Sequence, residues 1–293
     1  MNQRRRRYLT GYLFLAPALL SLAVFTFAPF VVGFWNSLHA GFGSDLDFVG
    51  FENYVYMFES PRFWNSLRVT LLFTATYSIF SIMLGFLTAY ALDHGKIRFK
   101  PIFSSILILP YVITPAIATL VWQYMFNADF GILNGALVAL GLDKVAWLQT
   151  PTGAMLSLII VQVWFTLGYN MLLFASGLRS IPRTYYEAAE IDGVGIWSKI
   201  RHITLPLLVP TIVFIGVLSL MGGFVHSFVL AQILTGGGPF RGTEVLMLLI
   251  YETAFESFDV PMANAMTIVM FALLFTLSYL LNVWQERAYK GIE

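Results

Sequence analysis

Six apolar stretches without Asp, Glu, Lys or Arg dominate this sequence and limit what it can fold into. Each is about 20 residues or longer, which is the length that a helix needs to cross a bilayer. Because a charge at the centre of a span costs about 2.5 to 3.5 kcal/mol, such stretches are typical of membrane helices. They run from Tyr12 to Trp35, Val69 to Leu92, Ile102 to Phe126, Ala154 to Leu178, Leu205 to Ile233 and Met262 to Gln285. We predict an all-α membrane protein with six transmembrane helices rather than a barrel, whose strands would be short and alternating.

The overall composition agrees with this fold class. Hydrophobic residues make up 58% of the chain and charged residues 11%. Without Cys, neither disulfides nor thiolate metal sites are expected. A formal net charge of +1 gives no reason to expect a nucleic acid partner. Since no linker or low-complexity run divides the sequence, we predict a single transmembrane domain over residues 1–293.

The basic residues predict the orientation, because cytoplasmic flanks of membrane helices retain Lys and Arg. With the N-terminus inside, only four of the 17 Lys and Arg residues fall outside, namely Arg62, Arg68, Lys144 and Arg241. Both termini and the loop of about 179–204 are therefore predicted to be cytoplasmic. The N-terminal arginines and first stretch also fit a cleavable signal peptide. The stretch is longer than the usual core of about 7 to 15 residues, however, and no small-x-small site ends it, so we predict an uncleaved span.

The 179–204 loop carries its own helix signals between the fourth and fifth stretches. Ser180 is predicted to cap a short helix that Gly193 and Gly195 end, and a second short helix is expected to run toward Ile203. Glu187-Ala188-Ala189 is followed by Gly193 and then by Ile203-x-Leu205-Pro206. A helical loop of this kind offers a surface that a soluble protein can bind in a groove.

This spacing resembles the loop that ABC importer permeases present to their ATPase partners. Ser180-Ile181-Pro182 and Ile203-Thr204-Leu205-Pro206-Leu207-Leu208 narrow the resemblance to permeases for sugars or glycerol phosphate. It implies the type I ABC importer fold, with this permease domain as half of a heterodimer in a bacterial or archaeal cytoplasmic membrane. It also implies two ATP-binding cassette subunits, which bind ATP and Mg, and an extracytoplasmic solute-binding protein. The implied ATPase-coupling residues are Tyr186, Glu187, Ala188, Ala189, Asp192, Gly193, Ile203, Leu205 and Pro206.

A glycine-rich string after the fifth stretch does not fit a nucleotide-binding site. A P-loop requires Gly-x4-Gly-Lys-Ser/Thr to hold phosphates, and the sequence contains no such string, so no cofactor is expected in this chain. Gly236-Gly237-Gly238-Pro239, with Thr243-Glu244 after it, instead resembles a loop of maltose and glycerol phosphate permeases. That resemblance implies the first of the two unlike permeases and a contact loop for the binding protein.

Polar and aromatic residues inside the apolar stretches predict a substrate path, since such groups are costly against lipid. Gln162, Thr166 and Tyr169 or Asn170 recur at helical spacing, and Tyr111 and Pro115 lie one turn apart. These residue types also pack helices together, and that alternative stays open. Amide, hydroxyl and aromatic groups suit a sugar. The resemblance places the path at Tyr111, Pro115, Gln162, Thr166, Tyr169, Asn170, Phe224, His226 and Ser227.

Two other functional classes are weighed against the importer. An ion-coupled secondary transporter would use an ionisable residue inside a span, and among such groups the stretches offer His226. A membrane enzyme would require a catalytic or metal-binding constellation, whereas the four His residues are scattered along the sequence. We therefore predict an importer subunit that is not an enzyme, with neither catalytic nor metal-binding residues.

Overall fold

The computed structural model describes residues 3–43, 45–95 and 98–290, and its regular structure is mainly helical. The first helices are α1 (Gln3–Leu22), α2 (Ala28–Ser37), α3 (Glu52–Glu59), α4 (Pro61–His94), α5 (Lys100–Val112), α6 (Pro115–Met125) and α7 (Ile132–Ala139). The later helices are α8 (Pro151–Ser180), α9 (Arg183–Ile191), α10 (Ile196–Lys199), α11 (Leu205–Leu207), α12 (Val209–Met221), α13 (Ser227–Leu234), α14 (Leu246–Tyr251) and α15 (Val260–Lys290). π-Helical turns occupy Ala23–Phe27, Ile200–Thr204, Gly222–His226 and Glu252–Glu256.

One element lies outside the helical scheme. Strands β1 (His39–Phe42) and β2 (Asp45–Phe48) pair antiparallel, with His39 opposite Phe48. This hairpin, which was not predicted from the sequence, follows the end of α2. It adds a short extended segment to an otherwise helical chain.

The described residues contain five helical segments long and apolar enough to cross a membrane, or six if α5 and α6 form one broken span. This agrees with the predicted class of all-α membrane protein. The fifth predicted stretch begins at Leu205, whereas the long helical segment that corresponds to it begins at Val209. The first residues of the stretch form the separate short helix α11, which ends at Leu207. The five segments are Tyr12–Ser37, Pro61–His94, Pro151–Ser180, Val209–Leu234 and Val260–Ala288.

The third apolar stretch is broken rather than straight. Helices α5 and α6 meet at 99°. Ile113 and Thr114 between them are extended, with ψ of 144° and 133°. Pro115 explains the break, because its ring disfavours the helical conformation of the residue before it and it lacks an amide hydrogen. Tyr111 and Pro115 therefore lie on two helices, and the prediction that they share a face of one helix is wrong.

The chain forms two compact units, so the single permease domain stays a prediction. In the first unit, the Phe30 and Phe271 rings are 4.9 Å apart, and the Asn53 amide donates hydrogen bonds to the Ser37 and His39 carbonyls. The span Tyr12–Ser37 has no buried residue in its most apolar part, so its apolar side chains are exposed on the surface of this chain. The first unit comprises the described parts of Met1–Pro61 and Ile250–Phe271, and the second those of Arg62–Leu249 and Ala272–Glu293.

Helices α5 and α8 of the second unit approach each other at backbone contact. A Cβ added to Gly168 of α8 would lie 2.0 Å from the carbonyl oxygen of Leu107 in α5. Small residues permit such close approach between membrane helices. This crossing holds α5, and with it Tyr111, against α8.

Replacing Gly168 with alanine is expected to destabilise the protein by about 1 to 3 kcal/mol, because the added methyl group would overlap backbone that can yield only if a helix moves. Gly135→Ala in α7 is the matched control, since an added Cβ there meets nothing within 4 Å. The control is expected to be neutral or slightly stabilising. The midpoint of thermal unfolding of the purified protein measures both. Equal midpoints for the two variants would contradict the close crossing.

Candidate functional site

A cavity of about 490 Å3 opens among α4, α5, α6, α8, α12 and α13 in the second unit. Its volume lies within the range of about 300 to 1,000 Å3 that is usual for small-molecule sites. None of the described residues that line it is Asp, Glu, Lys or Arg. They are Tyr77, Tyr111, Ile113, Pro115, Gln162, Phe165, Thr166, Tyr169, Asn170, Leu218, Ser219, Met221, Gly222, Val225, His226, Val229 and Leu230.

The structure brings most of the predicted path residues to this cavity. Phe224 and Ser227 are the exceptions: Phe224 is fully buried away from it, and the Ser227 hydroxyl donates to the Gly223 carbonyl at 2.6 Å. The π-helical turn Gly222–His226 explains the difference, because a wider turn shifts which side chains share a face. The predicted residues at the cavity are Tyr111, Pro115, Gln162, Thr166, Tyr169, Asn170 and His226.

Aromatic rings form one wall of the cavity. The rings of Tyr111 and Tyr169 stack with centroids 4.5 Å apart and an interplanar angle of 4°. Phe165 lies 5.7 Å from Tyr111 on the same wall. The stack joins α5 to α8, and Tyr111 remains 41% exposed. It therefore offers ring surface against which apolar C–H groups of a ligand can pack.

Uncharged polar groups are held in place on another part of the wall. Asn170 donates from Nδ2 to the hydroxyl of Ser81 at 2.7 Å, and that hydroxyl lies 2.8 Å from the hydroxyl of Thr166. The Thr166 hydroxyl also lies 2.9 Å from the main-chain carbonyl of Gln162. Because these side chains are linked across α4 and α8, their orientation is set before a ligand arrives.

Helix α4 contributes to this site a residue that was not among the predicted path residues. Tyr77 lines the cavity, and its hydroxyl donates to the carbonyl of Ser219. A periodic signal was present, because Thr70, Thr74, Tyr77 and Ser81 recur every three or four residues. That spacing predicts one polar face on α4 and would have identified Tyr77.

The 179–204 loop folds into α9, α10 and a π-helical turn. Gly193, at φ +69°, ends α9: its amide donates to the Glu190 carbonyl, and the Val194 amide donates to the Ala189 carbonyl. The predicted stop at Gly193 is confirmed. The predicted cap at Ser180 is wrong, because its hydroxyl donates to Gly177 within α8 and Pro182 precedes α9.

Helix α9 has an inward and an outward face. Ala189 is 7% exposed, and the Tyr186 hydroxyl lies 3.0 Å from the Thr204 hydroxyl, so these two predicted coupling residues pack against their own chain. Glu187 and Ala188 are exposed on the outward face. Of the other predicted coupling residues, Asp192, Gly193 and Leu205 are exposed, and Ile203 and Pro206 are half-buried.

Large apolar side chains extend the outward surface of this loop. Ile191 is 88% exposed and Trp197 78%, and Tyr185 and Ile196 are more than half exposed. An ion pair of 3.0 Å between Lys199 and Glu190 ties α10 to α9. A fixed surface that combines exposed apolar groups with a carboxylate is typical of a protein docking site.

The loop 235–245, the glycine-rich loop, is fixed to the start of α4. The Glu244 side chain is 4% exposed, and Arg62 donates to it with a shortest distance of 2.6 Å. The Ser66 hydroxyl donates to the same carboxylate at 2.9 Å. At the tip of the loop, Phe240 is 93% exposed at φ +52°, and Arg241 has φ +57°. The loop therefore holds an aromatic ring in solvent on a constrained backbone.

A helical membrane protein with an uncharged internal cavity and an exposed docking surface is suited to be the membrane component of a transporter. Residues 57–292 match the family described as "Binding-protein-dependent transport system inner membrane component". The chain belongs to this family, so it is a multi-pass permease component of the inner membrane rather than a catalytic subunit.

Characterised relatives resemble the chain over nearly its whole length. The trehalose/maltose transport system permease protein MalF of Thermococcus litoralis is 33% identical over 274 residues, which cover 92% of each chain. The sn-glycerol-3-phosphate transport system permease protein UgpA of Yersinia enterocolitica is 31% identical over 280 residues, which cover 94% of each. The predicted resemblance to this permease family is confirmed.

A solved structure shares the fold. A chain of a bacterial alginate ABC transporter, in complex with an alginate pentasaccharide-bound periplasmic protein, superposes with a TM-score of 0.85. The match covers 98% of both chains at 22% identity, which shows the fold alone. The MetNI methionine ABC transporter gives a TM-score of 0.55 at 18% identity, over 83% of this chain. The predicted type I importer permease fold is confirmed.

Proposed function

We propose that this chain is a membrane-spanning subunit of an ATP-driven importer whose solute is a neutral sugar or short oligosaccharide. The observation that carries the proposal is the cavity, which joins the Tyr111–Tyr169 stack to amide and hydroxyl groups without a charged lining residue among those described. Sugars present C–H faces to aromatic rings and hydroxyls to hydrogen-bonding groups. A site for a phosphate ester, by contrast, is expected to contain a cationic side chain that pairs with the phosphate. Between the solute classes named for the relatives, the cavity therefore favours the sugar.

Uptake of radiolabelled trehalose, maltose and longer oligosaccharides by the reconstituted complex tests this proposal. Gln162→Ala is expected to raise the half-saturating solute concentration about tenfold, because it removes hydrogen bonds to a solute hydroxyl. Ser227→Ala is the control, since that side chain is buried and does not line the cavity. The control is expected to keep the wild-type half-saturating concentration. A half-saturating concentration that rises with Ser227→Ala and not with Gln162→Ala would contradict the assignment of the solute path to this cavity.

In this proposal, the energy for transport comes from two ATP-binding cassette subunits. These subunits bind the 179–204 loop and hold ATP and Mg themselves. The outward face of α9, with Glu187 beside exposed Ile191, supports this assignment. Closure of the two ATPase subunits would then move α9 and the spans packed behind it. The basic residues near this loop, including Arg179 and Arg183, favour a cytoplasmic location for it and for both termini.

Two further partners complete the proposed assembly. A second, unlike permease forms the other half of the path, and the bare apolar surface of Tyr12–Ser37 is available to it or to lipid. A solute-binding protein docks on the opposite side of the membrane. The exposed Phe240 ring on its fixed loop supports a contact there, because rigid aromatic side chains are effective interface residues.

The ion-coupled alternative has no support from the family assignment or the relatives. Its one sequence feature was His226, which lines the cavity beside uncharged groups. There the imidazole is suited to hydrogen-bond a solute hydroxyl.

A further inference from the structure

His94 connects α4 to a helix that is distant from it along the chain. His94 is the last residue of α4, and its ring stacks on Tyr90 with centroids 4.2 Å apart and an interplanar angle of 17°. On its other side, the ring of Tyr186 in α9 meets it nearly edge-on at 5.8 Å. The carboxylate of Asp93 lies 3.5 Å from His94 Nδ1. Three rings therefore form a continuous column from α4 to α9.

The ring column lies at a groove between α4 and α9. A cavity of about 340 Å3 lies between the end of α4 and α9, with Asp93 and His94 on one side and Glu187 and Glu190 on the other. His94 and Tyr186 both line this groove, and their ring contact joins the two helices across it.

Tyr186 is also connected to the spans before and after the 179–204 loop. It packs against the buried cluster that includes Leu178 of α8 and Leu208 near the start of α12, and its hydroxyl lies 3.0 Å from that of Thr204. Helices α8 and α12 are joined to this loop by the chain itself. Helix α4 has no such covalent connection to the loop, and packed side chains couple it instead: Ala89 belongs to the same buried cluster, and the ring column joins His94 to Tyr186 itself.

Helix α4 leads from this contact to the cavity. Tyr77, which lines the cavity, lies 17 residues before His94 on the same helix, a distance of about 25 Å at 1.5 Å per residue. Ser81, on the same helix, hydrogen-bonds to Asn170 in the cavity wall. A rigid α4 therefore connects the His94 end to groups at the site.

We propose that His94 is a positioning residue that transmits movement of α9 to α4, and through α4 to the Tyr77 and Ser81 side of the cavity. This inference rests on the proposed function, in which α9 receives the push of the ATPase subunits. In this proposal, the packing of the His94 ring transmits the movement, and a charge on the ring is not required. A ring without nitrogen atoms should therefore replace it.

The experiment uses the assembled transporter in nanodiscs and proteoliposomes, with His94→Ala and His94→Phe as the informative pair. His94→Ala is expected to lower the amount of solute transported per ATP about three- to tenfold, the range expected from the loss of an aromatic pair. His94→Phe is expected to restore this ratio to within about twofold of wild type. Complex yield and ATPase activity without binding protein are expected to stay unchanged. His39→Ala, which also removes a histidine ring packed on aromatic side chains but lies outside α4 and the 179–204 loop, is the matched control and is expected to keep the wild-type ratio.

Glu187→Lys, measured in parallel, separates failure of this inference from failure of the proposed function. If Glu187→Lys stops uptake and His94→Ala keeps the wild-type ratio, the ring column is not a transmission element and the proposed function stands. If His94→Phe is as impaired as His94→Ala, the ring is not what matters and the inference is overturned. A lower complex yield with His94→Ala also overturns it, because the ring would then serve assembly. If Glu187→Lys leaves uptake intact, the coupling role of α9 itself fails.

Discussion

Replacing Glu187 with lysine is expected to reduce solute uptake by roughly two orders of magnitude or more while the protein still inserts and assembles. The Glu187 carboxylate is exposed on the outward face of α9, so the change leaves the packing of the chain itself intact. Placing a like charge against a basic partner surface costs several kcal/mol. ATP hydrolysis, if it continues, should no longer respond to the solute-binding protein. Uptake into proteoliposomes and binding-protein-stimulated ATPase activity measure the two effects.

Glu286→Lys is the matched control for this charge reversal. Glu286 is an exposed glutamate in the last part of α15, outside the 179–204 loop. It carries the same change of charge, and uptake by this variant is expected to remain close to wild type. Normal uptake by Glu187→Lys, or equal losses in the two variants, would remove the coupling role from the outward face of α9.

Replacing Arg62 with methionine is expected to destabilise the protein by about 2 to 3 kcal/mol. The change leaves the buried carboxylate of Glu244 without its closest cation, and such loss costs about 3 to 5 kcal/mol for fully buried pairs. We expect a smaller loss of stability than for a fully buried pair because the Arg62 side chain is 32% exposed and partly screened by solvent. The temperature at which the purified complex loses its native elution profile should fall accordingly, by about 2 to 4 °C per kcal/mol.

The double variant Arg62→Met with Glu244→Gln tests the cause of this loss. The neutral amide no longer requires a cation, so the double variant is expected to recover part of the stability lost in the single variant. The two changes are in direct contact in the wild-type protein, so non-additive effects are expected. A double variant that is less stable than Arg62→Met alone would show that charge burial is not the source of the loss.

The sequence predicted those features that depend on local physical rules. Exclusion of charges from lipid determines where spans lie, and the predicted stretches agree with the helices to within a few residues at most ends. Gly193 ends α9 because its positive φ suits a residue without a side chain. The helical spacing of Gln162, Thr166 and Asn170 likewise placed three residues on one face of α8, where all three line the cavity.

The features that were missed depend on packing between distant segments or on small changes in helix geometry. The π-helical turn before Ser227 turns this residue and Phe224 away from the cavity, and no simple sequence period announces it. Tyr186 and Ala189 face inward because α8 and α12 pack behind α9, which a linear pattern does not reveal. The ion pair of Arg62 with Glu244 joins residues 182 positions apart, so neither residue predicts the other.

The right-angled break between α5 and α6 affects how much of the affinity for a solute mutagenesis can remove. Where one helix ends and another begins, the last carbonyls and first amides lack partners within their helices. Ile113 and Pro115, on either side of Thr114, line the cavity, so main-chain carbonyl acceptors lie close to the space in which we propose that the solute binds. Replacing side chains leaves these groups in place. A transporter stripped of its polar side chains in the cavity should therefore retain residual recognition of hydroxylated solutes.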